Sequence, residues 1–374
     1  MYRLFSWGAN SHGQLGHGDV NEQVVTPKEV DLSFANIEIS KIKKIVGGAG
    51  HSIILDEYGG IFSCGWNGRG QSGCTEQKSL RFKRLESFGG QKIVDVACGW
   101  DSSMALTDQG ELFAWGSNFH GQLGLPRVKS TSTPTRVELE VPIEKMSIGL
   151  RHSAIVTRDS KVLVSGAATK GQLGVDLDGA RTCDRFIEVP ELHDISGVSC
   201  GQHHTIVTTR NGEIFSWGDN KHGQLGVDPQ ICKTASSPMK ILNDTPADVT
   251  RKIYCGWTHS AILTSGAQLL FWGRNTYGQL GRTKTTPKEE LWKAKSPTTL
   301  IQAQQLSLGS EHNILLTGDG TVMSWGWNEH GNCGNGYTED TFEPTKVLLP
   351  DCTGVLVGAG AGHSFVIVKM KTNK

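Results

Sequence analysis

Histidine and cysteine supply most proton carriers, thiol nucleophiles and transition-metal ligands in proteins. This chain holds 13 of the first and nine of the second. Their spacing argues against a shared centre. His51, His152, His204, His259, His312 and His363 each close a Gly-x-x-His segment, with Ser102 in the same slot of the copy that begins at Gly99. His12, His120, His222 and His330 each precede the glycine of a second recurring loop. Residues that recur once per repeat lie apart in space and cannot converge on one ion, so no metal site is expected. A neutral imidazole both donates and accepts, so the six slot histidines are expected to be buried and hydrogen-bonded across repeats. Cys98, Cys200 and Cys255 all precede the same glycine, which fits small buried hydrophobes in a reducing compartment. No Cys-x-x-Cys pair is present, which argues against structural zinc. The strings Gly47-Gly48-Ala49-Gly50 and Gly358-Ala359-Gly360-Ala361-Gly362 are glycine-rich enough to cradle phosphate. Such cradles open a helix, whereas these lead into strands. No nucleophile–base pair stands out. No catalytic residue and no cofactor is expected.

The elements that position these residues come from the repeat. Trp-Gly-x-Asn-x-x-Gly-Gln-Leu-Gly, complete or altered, begins at positions 7, 64, 115, 165, 217, 272 and 325, in steps of 57, 51, 50, 52, 55 and 53. Gly-x-x-His-Ser recurs seven times in phase with it. A period of this size marks stacked or radially arranged units. After each Gly-x-x-His an apolar run such as Ser52-Ile53-Ile54-Leu55 leads to a tight turn, then to a strand ending in Trp-Gly. A Pro-led extended stretch and one more strand complete four short strands per unit, the blade of a propeller. The 47 glycines recur at fixed offsets, where close backbone approach or positive φ is needed. The expectation is an all-β, seven-bladed β-propeller, residues 1–368, with repeats 2–57, 58–109, 110–160, 161–211, 212–266, 267–319 and 320–368. Residues 369–374 read as a short basic tail. The chain begins at a Trp-Gly strand, Leu4 to Trp7, and stops after a Gly-x-x-His strand. The N-terminal strand is therefore expected to complete the last blade, which removes exposed sheet edges.

Thirty-seven basic residues balance 37 acidic ones, so nothing in the charge points to nucleic acid or an anionic membrane. No stretch is long and apolar enough to span a bilayer, and no signal peptide is read at the N-terminus. A soluble intracellular protein that binds a protein partner is expected.

Specificity is expected at the residue before the slot histidine, which varies from blade to blade: Gly50, Asp101, Arg151, His203, Thr258, Glu311 and Gly362. Variable chemistry on an invariant frame is where such a protein writes its binding preference. One position earlier stand Trp100 and Trp257, suited to packing or to a partner hot spot. Residues 282–302 depart from the repeat and contain Lys284, Lys288, Glu289, Glu290, Trp292, Lys293 and Lys295. This stretch reads either as a docking loop or as a disordered insertion with a tucked aromatic.

These motifs resemble those of the regulator of chromosome condensation family of propellers, over residues 2 to 368. The Trp-Gly-x-Asn-x-x-Gly-Gln-Leu-Gly loop carries the resemblance, with Gly149-Leu150-Arg151-His152 and Ser324-Trp325-Gly326-Trp327 among the supporting segments. Within the family the chain is most similar to members that act as exchange factors in secretion. The resemblance implies nucleotide exchange on a small GTPase, with an exocyst component as a further candidate partner, in the cytoplasm and also the nucleus. Gly201-Gln202-His203-His204-Thr205 resembles a GTPase-contacting motif, which carries over His203 and His204, with Asp101 after them. The candidate partner-binding residues are thus Trp100, Asp101, Arg151, His203, His204, Trp257, Glu311 and Trp292. Light-sensing members keep tryptophans beside arginines in the Trp100 and Trp257 slots; here the neighbours are Asp101 and Thr258. No wedge hairpin and no basic N-terminal arm stands out. The alternative reading is a non-catalytic adaptor for secretory machinery or a ubiquitin ligase.

Overall fold

Within each blade the second strand is buried along nearly its whole length, apolar in the middle and polar at its ends. In His152–Thr157 every residue is buried, whereas the fourth strand Ser130–Arg136 is largely exposed. That gradient follows from a strand with neighbours on both faces near an axis and an outer strand in solvent. A computed structural model describes residues 1–241, 250–299 and 301–371. It is a ring of seven antiparallel sheets. Blade one is Ile42–Gly47, His51–Asp56, Ile61–Trp66 and Lys78–Leu85. Blades two, three and four begin at Ile93, Ile143 and Ile195, blade five at Thr250 and blade six at Ala303. Blade five has three strands, and a single bridge from Phe271 to Lys295 marks the place of its fourth.

Blade seven closes the ring. Tyr2–Ala9 pairs antiparallel with His363–Met370, from Tyr2 opposite Lys369 to Gly8 opposite His363. Two strands come from the N-terminus rather than the one expected, because Gln23–Glu29 returns along Tyr2–Ala9 as the outer edge. The loop after Trp-Gly turns the chain back in this way in the other four-stranded blades too. Each repeat therefore straddles two blades. Lys369 lies within the last strand, and Lys371 is ion-paired to Asp351. The basic tail expected from 369 is thus sheet to Met370, and 372–374 lie outside the described residues.

Tryptophan wedges hold neighbouring blades together. Trp7, Trp115, Trp217, Trp272 and Trp325 are fully buried. Each indole N–H donates to a loop carbonyl of the preceding blade, as Trp115 does to Gln71 at 2.9 Å and Trp217 to Gln172 at 2.9 Å. A buried tryptophan removes about 200 Å² from water, roughly 5 kcal/mol, against about 1 kcal/mol net for its hydrogen bond. Burial therefore supplies the stability and the bond sets the register.

The slot histidines form a belt. Nε2 of His51, His152, His204, His312 and His363 meets the hydroxyl of Ser103, Thr205, Ser260, Ser364 and Ser52 on the next blade, at 2.8 to 3.0 Å. His259 meets Asn313 Oδ1 at 3.0 Å. Each hydroxyl donates its single hydrogen to a loop carbonyl, as Ser52 does to Gln14 at 2.7 Å. Nε2 must then carry the proton, which fixes the tautomer. Nδ1 of all six is buried without a hydrogen-bond partner. Burial accordingly pulls His51, His152, His204, His312 and His363 down to about 3, and His259 to about 4. The glycine that opens each Gly-x-x-His is needed for room: a Cβ on Gly201, Gly256 or Gly309 would strike the ring of its own blade's histidine.

Candidate functional site

First strands run up to the Gly-x-x-His loops and third strands run up to the Gly-Gln-Leu-Gly loops, so both loop sets share one face. The residue before each slot histidine forms an inner rim on that face. Its backbone is pinned identically in all seven blades. The carbonyls of Gly50, Asp101, Arg151, His203, Thr258, Glu311 and Gly362 each accept from the residue that follows Trp-Gly, at 2.6 to 2.9 Å. The Trp-Gly glycine makes this possible. At Gly218 φ is +108°, and a Cβ there would collide with the His203 carbonyl. The frame is uniform, so the side chains alone decide what each tip does.

The tips divide into three kinds. Gly50 and Gly362 carry no side chain. Thr258 and Glu311 face inward: the Thr258 hydroxyl sits 2.7 and 2.8 Å from the two Glu311 carboxylate oxygens, and Gln279 Nε2 donates at 2.7 Å. Glu311 is only 6% exposed, and burial holds its carboxyl above the usual range while Gln279 and Thr258 pull it back. Glu311, expected at a docking tip, instead crosslinks blades five and six below the surface.

Blades two to four carry the third kind. Asp101 is half-buried; burial raises its carboxyl, opposed by the Ser117 hydroxyl, Arg69 and His120. Arg151 is exposed and lowers both His120 and His203, whose rings burial already pushes down. Asp219 raises His203 in opposition, and Lys170 lowers it further. His203 is the accessible member of its pair. His204, also expected to contact a partner, is fully buried and bonded to Ser260 in the belt.

At the axis Trp100 and Trp257, from blades two and five, meet across the ring with centroids 5.1 Å apart and planes 43° tilted. They cap a funnel lined by the glycines and by Cys98, Cys200 and Cys255. Burial pushes the Cys98 and Cys200 thiols up to about 12, which makes them poor nucleophiles. Trp100 remains 39% exposed, an aromatic anchor at the centre of the face. Trp292 lies apart from this group, at the blade four–five edge, with its Cβ over Gly223.

Arg69, His120, Lys170 and Asp219 complete the rim cluster from the Gly-Gln-Leu-Gly loops. They were not singled out as partner-binding. A signal existed, since His12, Arg69, His120, Lys170, His222, Tyr277 and His330 occupy one repeat slot that is basic or aromatic throughout. On the opposite face Lys41, Arg136, Lys161 and Lys240 are paired to Glu57, Glu111, Glu188 and Glu213, while Lys92 and Arg158 make no ion pair among the described residues. Among the described residues Arg69, Arg151 and Lys170 have no such ion pair. Arg69 instead stacks 4.9 Å from the ring of Phe119, which is 52% exposed.

Known proteins share this arrangement. The RCC1-like domain model matches residues 3–366. The chain is 34% identical to the secretion-regulating guanine nucleotide exchange factor of Bos taurus, over 98% of this chain and 83% of that protein. It is 30% identical to the ultraviolet-B receptor UVR8 of Arabidopsis thaliana, over 91% and 76%. Its fold matches Prp20p of Saccharomyces cerevisiae, whose binding to Gsp1p and histones has been described, with a TM-score of 0.87, 24% identity and coverage of 100% and 92%. The seven pinned tips, the tryptophan wedges and these matches agree: the chain belongs to the RCC1-like domain family.

Proposed function

We propose that this chain is an exchange-factor-like regulator that docks a small GTPase on the inner-rim face, with Asp101, Arg151, His203 and Trp100 as the contact residues. The observation that carries the reading is the cluster of half-exposed, mutually perturbing charges on blades two to four, around an exposed aromatic anchor. Arg69, Arg151 and Lys170, which make no ion pair among the described residues, favour a charged partner surface over this part of the rim. The similarity to a named secretion-regulating guanine nucleotide exchange factor over 98% of this chain supports a GTPase linked to secretion. Exchange needs no bond chemistry. The rim need only bind the nucleotide-free partner more tightly than the GDP-bound one, and the differential affinity drives release.

The test is release of fluorescent GDP from a panel of small GTPases with and without the protein. The expected result is acceleration with at least one GTPase. Arg151→Ala with His203→Ala should reduce that acceleration roughly ten-fold, about 1.4 kcal/mol of differential binding. Stability should change little, because Arg151 is exposed and the half-buried His203 lies outside the belt. No acceleration with any GTPase, alongside a stable complex recovered in solution, would replace the exchange reading with the adaptor one.

A further inference from the structure

Residues 282–302 build a groove that the rim cluster does not use. The loop is ordered around one buried cation. Arg282, 6% exposed, donates through its guanidinium to the carbonyls of Phe271 at 2.5 Å, Lys295 at 2.7 Å and Glu290 at 3.1 Å. This strap replaces the fourth strand of blade five. Residue 300 lies outside the described residues. The strap carries Trp292 onto Gly223 of blade four, where φ is +81° and any side chain would collide with the Trp292 Cβ. Between the blade-four loop and the strap a groove of about 630 Å³ opens on the rim-bearing face.

The strap sorts its charges. Glu290 faces away and is paired to Lys293 and Lys295. Lys221, Lys284 and Lys288 line the groove and make no ion pair among the described residues; Arg274 lines it too, with its guanidinium 4.6 Å from the Tyr277 ring and 4.0 Å from the Glu311 carboxylate. Burial lowers His222, and Arg274 and Lys221 lower it further, so it adds no charge at neutral pH. Two carboxylates, Asp228 and Glu289, line the groove beside these cations, while Glu311 and Asp340 lie near Arg274 and Lys284 from outside the lining.

We propose that this groove binds an extended acidic peptide segment of a protein partner. Its carboxylates meet Lys221, Arg274, Lys284 and Lys288, and an apolar side chain lies against Trp292. Asp228 and Glu289 favour a peptide over a nucleic acid. A phosphate at every step would meet those carboxylates, whereas a peptide places its charges singly. The balanced net charge of the chain agrees, since it supplies no general attraction for polyanions. The inference rests on the reading that this face docks a protein.

The experiment is fluorescence anisotropy of a labelled twelve-residue probe, Asp- and Glu-rich with one central leucine, titrated with the intact protein. Expected is saturable binding that weakens roughly ten-fold between about 0.05 and about 0.5 M salt. The double variant Lys221→Glu, Lys288→Glu should weaken it by about ten-fold or more with unchanged thermal stability. Absence of saturable binding, equal binding by the variant, or tighter binding of a twelve-nucleotide oligothymidylate would each overturn the proposal. Probe binding without GDP release leaves the groove standing and removes the exchange reading. GDP release without probe binding does the reverse.

Discussion

The junction between blades one and two and the junction between blades two and three join similar sheets by different means. At the first, His51 reaches Ser103 at 2.8 Å, the Trp115 indole reaches Gln71 at 2.9 Å, and the Ala49 N–H reaches the Trp100 carbonyl at 2.9 Å. At the second, Ser102 stands where the histidine would be and Ser165 where the tryptophan would be. Only Ser153 to Gln122, at 2.6 Å, survives from the pattern, and a long 3.4 Å contact from Gln122 to Ser102 stays within blade two. The Ser165 hydroxyl is buried without a partner. Hydrocarbon fills the gap: Ile148 packs on Gly99, where other blades lay their own imidazole, within a cluster that includes Met104, Met146 and Ile155. Propeller geometry therefore does not need the belt at every junction. A neutral imidazole and an aliphatic side chain are interchangeable as spacers, but only the imidazole makes the joint sensitive to protons.

The comparison breaks most completely if the ring is opened elsewhere. A chain lacking residues 1–29 loses two of the four strands of blade seven and exposes the His363–Met370 edge. It should show no cooperative unfolding transition and should aggregate, as read by calorimetry and light scattering. A sharp transition near that of the intact chain would show that closure contributes little.

Acid comes next in size. The unfolded chain protonates its belt histidines from about pH 6.5 downward. The folded ring resists until about pH 3 to 4. Between those values the unfolded state binds more protons, so stability falls as pH falls, by about 1 kcal/mol per histidine per pH unit. Six acting together approach the whole stability of an ordinary domain. Chemical unfolding followed from pH 7.5 to pH 5 should show a steep loss involving several protons. A loss no steeper than one or two protons would mean that the imidazoles titrate in the folded state.

A single joint should then separate the two chemistries. His312→Ala removes a buried ring and its bond to the Ser364 hydroxyl, which keeps its own bond to the Asn332 carbonyl, at a cost of about 3 kcal/mol. Ser102→Ala removes a 3.0 Å bond to the Ser117 carbonyl and the long contact from Gln122, about 1 kcal/mol. Equal midpoint shifts in urea would erase the distinction. The smallest effect is also the sharpest. Ser102→His alone should destabilise, because Ile148 occupies the space. Ser102→His with Ile148→Ala should restore a belt bond to Ser153, recover about 1 kcal/mol at pH 7.5, and add acid sensitivity that the parent joint lacks.

Much of the fold was legible in the residues, and less of the site. Two motifs locked in phase seven times required seven blades, and the order of strand types at the two ends required closure from the front. The second N-terminal strand was missed because Gln23–Glu29 carries weak apolar alternation and is recognised only by the edge it covers. The belt was foreseeable, since one imidazole per repeat has few other uses. The break in it was visible as Ser102, but its repair by Ile148 was not, because those residues meet only across a blade boundary.

By itself the sequence determined how many blades form, in what order, where the ring shuts, and that seven variable tips crown one face, because those properties follow from local motifs repeated at one spacing. The tertiary structure alone decided which tips a partner can touch. Thr258 and Glu311 are 53 residues apart and read as two more variable positions, yet they bury each other. Arg151 and His203 fill equivalent slots and stay accessible. Exposure at a tip depends on the side chain that the neighbouring blade happens to bring beside it, and that neighbour is assigned only when the ring closes.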